Sequence, residues 1–314
     1  MNSIQVLQDA FGDRLKADKN ISPHLTLRTR TTAQWYLEAE SPEDWQRALK
    51  LTSEHHIPLF ILGGGSNMAV TSDRIPGLTV RNMYRKFAVL ADGPDYADVF
   101  VSSGYIVNQL VRETTSRGLS GVEYHLGLPG TVGGALYMNS KWTRSNPASY
   151  FGDSLLSANI LDRNGTVRRE ERAYFRFAYD YSILHKTHEF LLDAVFRFTK
   201  ESPELLKQRS FEAMEYRKKT QPFGVSTCGC FFQNITEEEQ KTHGLPTRSA
   251  GYLIDQSGLK EASMGGFTVS PVHANFIVNT GEGKPEDLVA LLSKIKAAVQ
   301  SKFGIELKEE VLII

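Results

Sequence analysis

The run IPLFILGGGSN, residues 57–67, decides the fold. IPLFIL (57–62) is a short continuous apolar run of strand length, and Gly63-Gly64-Gly65 breaks it at once. Upstream, SPEDWQRALKLTSEHH (41–56) opens as a helix: Ser41 caps it, Pro42 suits the first helical position, and Asp44 sits at the capping-box position. Trp45, Ala48 and Leu49 share one apolar face. Helix, buried strand and glycine loop in that order predict an α/β unit.

A second such unit follows. DVFVSSG (98–104) reads as a strand and YIVNQLVRETTSRG (105–118) as a helix stopped by Gly118. GVEYHLGLPGTVGGALYMN (121–139) then carries glycine at 121, 127, 130, 133 and 134, with a Pro-Gly turn at 129–130. KWTRSNPASYFG (141–152) is polar and turn-rich and reads as an exposed loop. Strand-like runs resume in SANILDRNGTVRRE (157–170), where Asn164-Gly165 fits a hairpin turn, and in EFLLDAVFRFT (189–199). An amphipathic helix is expected over 203–219, a long one from Pro285 with Leu288, Leu291, Leu292, Ile295 and Val299 on one face, and a closing strand in IELKEEVLII (305–314).

Composition sets bounds. A chain of 314 residues exceeds one ordinary core and predicts two or three subdomains. Lys+Arg and Asp+Glu both total 36, which argues against a nucleic-acid partner. No stretch approaches the roughly 18 apolar residues of a membrane span, and MNSIQVLQDAFGDRLK has no basic region followed by an apolar run. A cytoplasmic protein with no membrane partner is expected. Cys228 and Cys230, in STCGCFFQN (226–234), are the only cysteines. A bridge across one residue would be strained. Zinc would need two further ligands, which His243 alone does not supply, so no metal is expected. From the residues alone, packed structural thiols are the default.

LGGGSN (62–67) after a strand invites a phosphate reading, because glycines let backbone N–H groups approach an anion. It matches neither common template: no Gly-Lys-Ser/Thr ending follows, and MAVTSDRIPG is a poor helix start. LPGTVGGA (128–135) strengthens the reading, since two glycine-dense loops suit an extended ligand with several phosphates, such as a dinucleotide. Ser66, Asn67 and Thr131 add side-chain donors and acceptors.

The two glycine stretches together resemble the UDP-N-acetylenolpyruvoylglucosamine reductase (MurB) family. The resemblance continues in order through YRKKTQP (216–222), CGCFFQN (228–234), AGYLIDQSGLK (250–260), VHANFIVN (272–279) and GIELKEEVLII (304–314). It implies an α+β fold: a two-part FAD-binding domain of the PCMH/vanillyl-alcohol-oxidase type plus a C-terminal α/β substrate-binding domain. It implies FAD-binding subdomains at 1–80 and 81–202, a substrate-binding domain at 203–305, and a last strand, 306–314, returning to the first subdomain. FAD would be held by Leu62, Gly63, Gly64, Gly65, Ser66 and Asn67, and by Gly127, Pro129, Gly130, Thr131, Gly133 and Gly134. Arg217, Gln221, Asn234 and Gln256 would bind substrate.

The implied reaction reduces UDP-N-acetylglucosamine enolpyruvate to UDP-N-acetylmuramate with NADPH, in peptidoglycan precursor synthesis, by a monomer. Hydride chemistry belongs to the flavin, while the protein stabilises the enolate and supplies a proton to the α-carbon. The family donates that proton from a serine or cysteine, here Cys230. Cys228 is then its structural neighbour, and Glu310 matches the family's C-terminal acidic residue, with Glu309 beside it.

The chain departs from the pattern at FAYDYSILHK (177–186), where Asp180 stands in place of an arginine that would hold the substrate carboxylate. Arg176, four residues earlier on an extended chain, would sit about 13 Å away, so Lys219 or Lys186 is the candidate cation. The N-terminal LRTRTTAQW lacks the usual Gly-Gly, and KEASMGG (260–266) and SKWTRSNPASYFG (140–152) also differ from the family's runs. The segment 182–200 is too short for the tyrosine-bearing loop of one family branch. The alternative reading is a flavin- or nucleotide-binding paralogue with little reductase activity. A flavin oxidase is a third, and His125 and His273 read as structural histidines.

Overall fold

The computed structural model describes residues 3–281 and 283–314. The chain forms two compact units: residues 1–19, 33–64 and 76–216 make the first, and 20–32, 65–75 and 217–314 the second. The two flavin subdomains expected at 1–80 and 81–202 thus share the first unit, apart from two excursions that fold with the C-terminal part. The boundary falls at 216/217 rather than at 202/203.

Two hydrophobic cores build the first unit. One lies against a four-stranded sheet in the order Lys16–Asn20, Thr32–Ala39, Arg74–Asn82, Leu59–Leu62. The predicted helix forms as Pro42–Glu54; the Ser41 hydroxyl accepts the Asp44 N–H at 3.2 Å, and the Asp44 carboxylate accepts the Glu40 N–H at 2.9 Å. Its buried face of Trp45, Ala48 and Leu49 packs with Leu7, Leu37 and Val80. Strand Leu59–Leu62 lies parallel to Arg74–Asn82, so its C-terminal end delivers the glycine loop.

The second core underlies a six-stranded sheet ordered Val167–Glu171, Leu155–Leu161, Phe190–Lys200, Tyr96–Ser102, Phe87–Asp92, with the short Leu119–Ser120 also pairing with Phe190–Lys200. These pairings are antiparallel. Helix Val107–Ser116 buries Val107, Leu110 and Val111 against this sheet's core, and Gly118 beyond it has φ +68°. The 141–152 stretch is not simply an exposed loop. Lys141–Trp142 and Ser149–Tyr150 pair as a short antiparallel ladder, and Trp142 and Phe151 are buried, because two large aromatics outweigh the polar residues between them.

Strand Phe190–Lys200 also buries Asp193. Asn159 donates one hydrogen bond to its carboxylate at 2.8 Å, and burial pushes the carboxyl up to about 6. An aspartate in the unfolded chain titrates near ~3.9. The folded state therefore binds more protons between those two values, and stability falls as pH rises through that window. Asp193→Asn removes this liability. It is expected to stabilise the protein by up to about 3 kcal/mol near pH 8 and by nothing near pH 3. Urea melts at the two pH values check this; a gain equal at both would contradict it.

The second unit sets a three-stranded antiparallel sheet, Ser263–Met264, Phe267–Val269 and Ile277–Asn279, against helices Ala250–Gln256 and Pro285–Phe303. The long helix begins at Pro285 and buries all five predicted apolar positions. Phe231, Phe232, Leu253, Leu291 and Ile295 share its core with Leu27 and Ala69 from the two inserted segments. The closing strand is shorter than expected. Only Leu312–Ile313 forms one, parallel to Met68–Ala69, while Ile305 and Leu307 are buried outside any strand. Helix Pro203–Thr220, expected to be amphipathic, buries only Leu206, Ser210 and Ala213. Among the described residues no helix is long and apolar enough to cross a membrane.

Candidate functional site

The glycine loops meet backbone to backbone in the first unit. A Cβ added to Gly64 would lie 2.4 Å from the Gly130 Cα, and one on Gly63 would lie 3.0 Å from the Thr131 hydroxyl. Leu62, at the strand end, is fully buried and fixes where the loop begins. In the opposing loop the Gly127 N–H donates to Asn108 Oδ1 at 2.7 Å, and Thr131 caps the short helix Val132–Tyr137 by accepting the Gly134 N–H. Gly127 and Gly130 have φ of +87° and +127°, a backbone region that side-chain-bearing residues rarely enter. Gly133 is set against Ser103, whose Cβ a methyl there would approach to 2.9 Å. Pro129 precedes the turn. Sequence spacing alone implied two loops near one ligand; the structure brings them into contact.

Gly65, Ser66 and Asn67 continue into the second unit. Gly65 has φ +62°, and a Cβ there would meet the His24 carbonyl at 2.1 Å. Asn67 reaches the C-terminal segment: its Nδ2 donates to the Glu310 carbonyl at 3.3 Å, and its own carbonyl accepts the Leu312 N–H at 3.1 Å.

That segment carries Glu310 to Cys230. The Glu310 N–H donates to the carbonyl of Phe231, the residue after Cys230, at 2.8 Å. Cys230 itself forms a bridge with Phe276. Asn275 holds both sides of this stretch: its carbonyl accepts the Phe231 N–H, its Oδ1 the Phe232 N–H at 2.9 Å, and its Nδ2 donates to the Phe232 carbonyl at 2.7 Å. Reading the sequence did not single out Asn275, although it lies in the VHANFIVN motif.

The two cysteines are both thiols with opposite surroundings. Cys228 is buried among Phe231, Leu253 and their neighbours, and burial pushes its thiol pKa far up. Gly229 turns the chain at φ +93°, and Cys230 emerges half-buried. Glu309 and Glu310 separate in the same way. The Glu309 carboxylate pairs with Lys296 on the long helix at 2.5 Å, and the Glu310 backbone is fastened beside the Cys230 stretch. Among the described residues no three His, Cys, Asp or Glu side chains gather as a metal site.

The expected substrate residues are less uniform. Arg217 is half-buried in the last turn of Pro203–Thr220, where burial lowers its guanidinium pKa, and its carbonyl accepts the Gln221 N–H at 2.9 Å. Asn234 Oδ1 accepts the Ala250 N–H at 3.1 Å. Gln256 is exposed at the end of Ala250–Gln256, its carbonyl taken by Lys302, with no hydrogen bond to Cys230 or Glu310 among the described residues. His125 is fully buried edge-on to Phe151, and His273 is edge-on to Phe276, with burial lowering its pKa.

Asp180 is buried at φ +49° and forms an ion pair with Lys141, whose ammonium also lies 3.6 Å from the Tyr179 ring centroid. Its partner is thus a lysine missed in the sequence, while Lys186 and Lys219 are exposed. Lys141 and Asp180 lie 39 positions apart in the chain, so spacing gave no sign of the pair.

Residues 33–170 match an FAD binding domain family, and residues 221–314 match the family described as UDP-N-acetylenolpyruvoylglucosamine reductase, C-terminal domain. A UDP-N-acetylenolpyruvoylglucosamine reductase from Chlamydia trachomatis serovar A is 33% identical over 308 residues, 98% of this chain and 99% of its own length. The chain belongs to the UDP-N-acetylenolpyruvoylglucosamine reductase family. A second reductase of this name, from Acaryochloris marina, is 32% identical over 298 residues, 93% of this chain and 92% of its own. The crystal structure of the Thermus caldophilus reductase (MurB) matches with a TM-score of 0.75 at 25% identity, covering 95% of this chain and 97% of the other.

As a member of the UDP-N-acetylenolpyruvoylglucosamine reductase family, the chain is an FAD-dependent oxidoreductase with the expected α+β fold, and the family places it in peptidoglycan synthesis. The glycine loops offer a surface free of side chains. At Gly64 and Gly130 the backbone is bare of side chains, and among the described residues no protein acceptor takes the N–H of Gly64 or Gly65. A backbone N–H left unspent by the protein is what a diphosphate accepts from.

Proposed function

We propose that the protein reduces UDP-N-acetylglucosamine enolpyruvate to UDP-N-acetylmuramate with NADPH as reductant, and that Cys230 donates the proton taken up at the α-carbon. The observation that carries this is the contrast between the cysteines: Cys228 is sealed in the core, while Cys230 is turned out by Gly229 on the stretch to which Glu310 is fastened. Bound FAD supplies hydride transfer from NADPH to the β-carbon of the enolpyruvyl ether. A thiol of ordinary pKa near ~8.5 is protonated at neutral pH yet releases its proton far more readily than serine. Glu310 is assigned to relaying the replacement proton to Cys230.

The 62–67 and 127–134 residues named above hold FAD in this reading, and Arg217, Gln221 and Asn234 bind the substrate. Asp180 does not repel the substrate carboxylate as an isolated aspartate would, because Lys141 neutralises it. We assign the enzyme to the cytoplasm, where nucleotide sugars are made, as a monomer.

An anaerobic two-step titration tests the reading. NADPH should bleach the flavin absorbance and the enolpyruvyl sugar nucleotide should restore it. Bleaching without recovery would favour a paralogue that has lost the oxidative half. Failure to bind FAD would remove the reductase reading altogether.

A further inference from the structure

Four side chains of the first unit form an aromatic platform that the flavin reading leaves without a task. The rings of Tyr124 and Trp142 are parallel within 7°, with centroids 6.3 Å apart. Trp142 stands edge-on to Tyr216 at 5.6 Å, and the Arg144 guanidinium carbon lies 4.6 Å from the Tyr216 centroid. Arg144 also donates a hydrogen bond to the Tyr216 hydroxyl.

The charge on Arg144 distinguishes it from other stacked arginines of this unit. Arg117 lies over Phe87 and pairs with Glu113; Arg168 lies over Tyr174 and pairs with Glu170 and Glu189; Arg197 lies over Tyr96 and pairs with Asp98. Each of these has a structural counter-charge. Arg144 has none among the described residues, although it is exposed and lies over its ring. Next to it, the Ser145 hydroxyl is buried and makes no hydrogen bond among the described residues. A stacked guanidinium keeps its remaining N–H groups in a fixed fork that matches two phosphate oxygens.

We propose that Arg144, held over Tyr216, grips the diphosphate of a uridine nucleotide, with Ser145 as a second donor and Trp142 and Tyr216 as the aromatic surroundings. This rests on the proposed substrate and names the residues of this chain that recognise its nucleotide end. NADPH also carries a diphosphate, so the assignment needs both nucleotides in its test.

The test is calorimetric titration of the flavin-loaded protein with UDP, uridine and NADP⁺. Arg144→Met keeps the stem over the ring and removes the charge. It should weaken UDP by about tenfold, as expected for losing a charge-assisted contact, leave uridine within twofold, and show less loss at high salt. Arg144→Lys should fall between the two proteins, and it carries the test if the methionine variant loses its flavin. UDP affinity within twofold of the parent, no UDP binding by the parent, or a loss confined to NADP⁺ would each overturn the assignment. Turnover separates this idea from the substrate reading. A parent that binds UDP through Arg144 yet never reduces the enolpyruvyl substrate overturns only the reaction. A parent that turns over, with UDP affinity unmoved by Arg144→Met, overturns only this inference.

Discussion

Cys230→Ala should leave bleaching of the flavin by NADPH at the parent rate and slow its recovery with the enolpyruvyl substrate by about a thousandfold, within the range general acid catalysis contributes. The split follows from where a proton is needed. Transfer of hydride from NADPH requires no proton from this thiol, whereas the second half-reaction leaves a carbanion at the α-carbon that must be quenched. Stopped-flow absorbance on each half-reaction separately is the measurement. Cys230→Ser should restore part of the lost rate, since a hydroxyl in the same place still donates, though more reluctantly. Cys228→Ala should act differently: truncating a buried thiol among Phe231 and Leu253 is expected to lower stability by about 1–2 kcal/mol and leave the ratio of the two half-reactions unchanged. Equal slowing of both halves in Cys230→Ala would make the thiol structural and move the proton donor elsewhere.

The elements with strong local signals were legible in the sequence. Helix Pro42–Glu54 announced itself through Ser41 and its Trp45, Ala48, Leu49 stripe, and helix Pro285–Phe303 through Pro285 and five apolar positions. Both depend on neighbours within a few residues, which a linear reading sees. Cys230 and Glu310 were singled out only through resemblance, because the bond that joins their segments, from the Glu310 N–H to the Phe231 carbonyl, links positions about 80 residues apart. The same limit hid Lys141 from Asp180 and Asn275 from the Cys230 stretch: a side-chain partner set by tertiary packing leaves no periodicity. The 141–152 stretch misled for another reason. Composition weighed its Ser, Asn and Pro residues and missed that Trp142 and Phe151 are buried and help to anchor it. The excursions at 20–32 and 65–75 were likewise illegible, since segments of about a dozen residues carry no boundary signal when they fold with a distant part of the chain.

Gly64→Ala should cost the protein its flavin. The added methyl would sit 2.4 Å from the Gly130 Cα and 3.1 Å from its carbonyl carbon, against backbone that no rotamer change can move. One loop must therefore shift, and both are anchored. Leu62 is fixed in the parallel ladder with Arg81, and the 127–134 loop is held by the Gly127 N–H to Asn108 and the Thr131 cap. Overpacking of this kind costs about 1–3 kcal/mol, and here the strain falls on the surface that receives the diphosphate. An expected loss of about a hundredfold in FAD affinity corresponds to nearly the upper figure. The purified variant should be colourless, with a melting temperature lowered by only a few degrees because neither hydrophobic core is touched. Gly93→Ala is the control. A methyl there comes no closer than 3.4 Å to the Tyr96 carbonyl, outside the flavin loops, so that protein should stay yellow. If Gly64→Ala retained stoichiometric flavin at parent affinity, the contact between the loops would be packing alone, and the diphosphate would have to bind elsewhere on the chain.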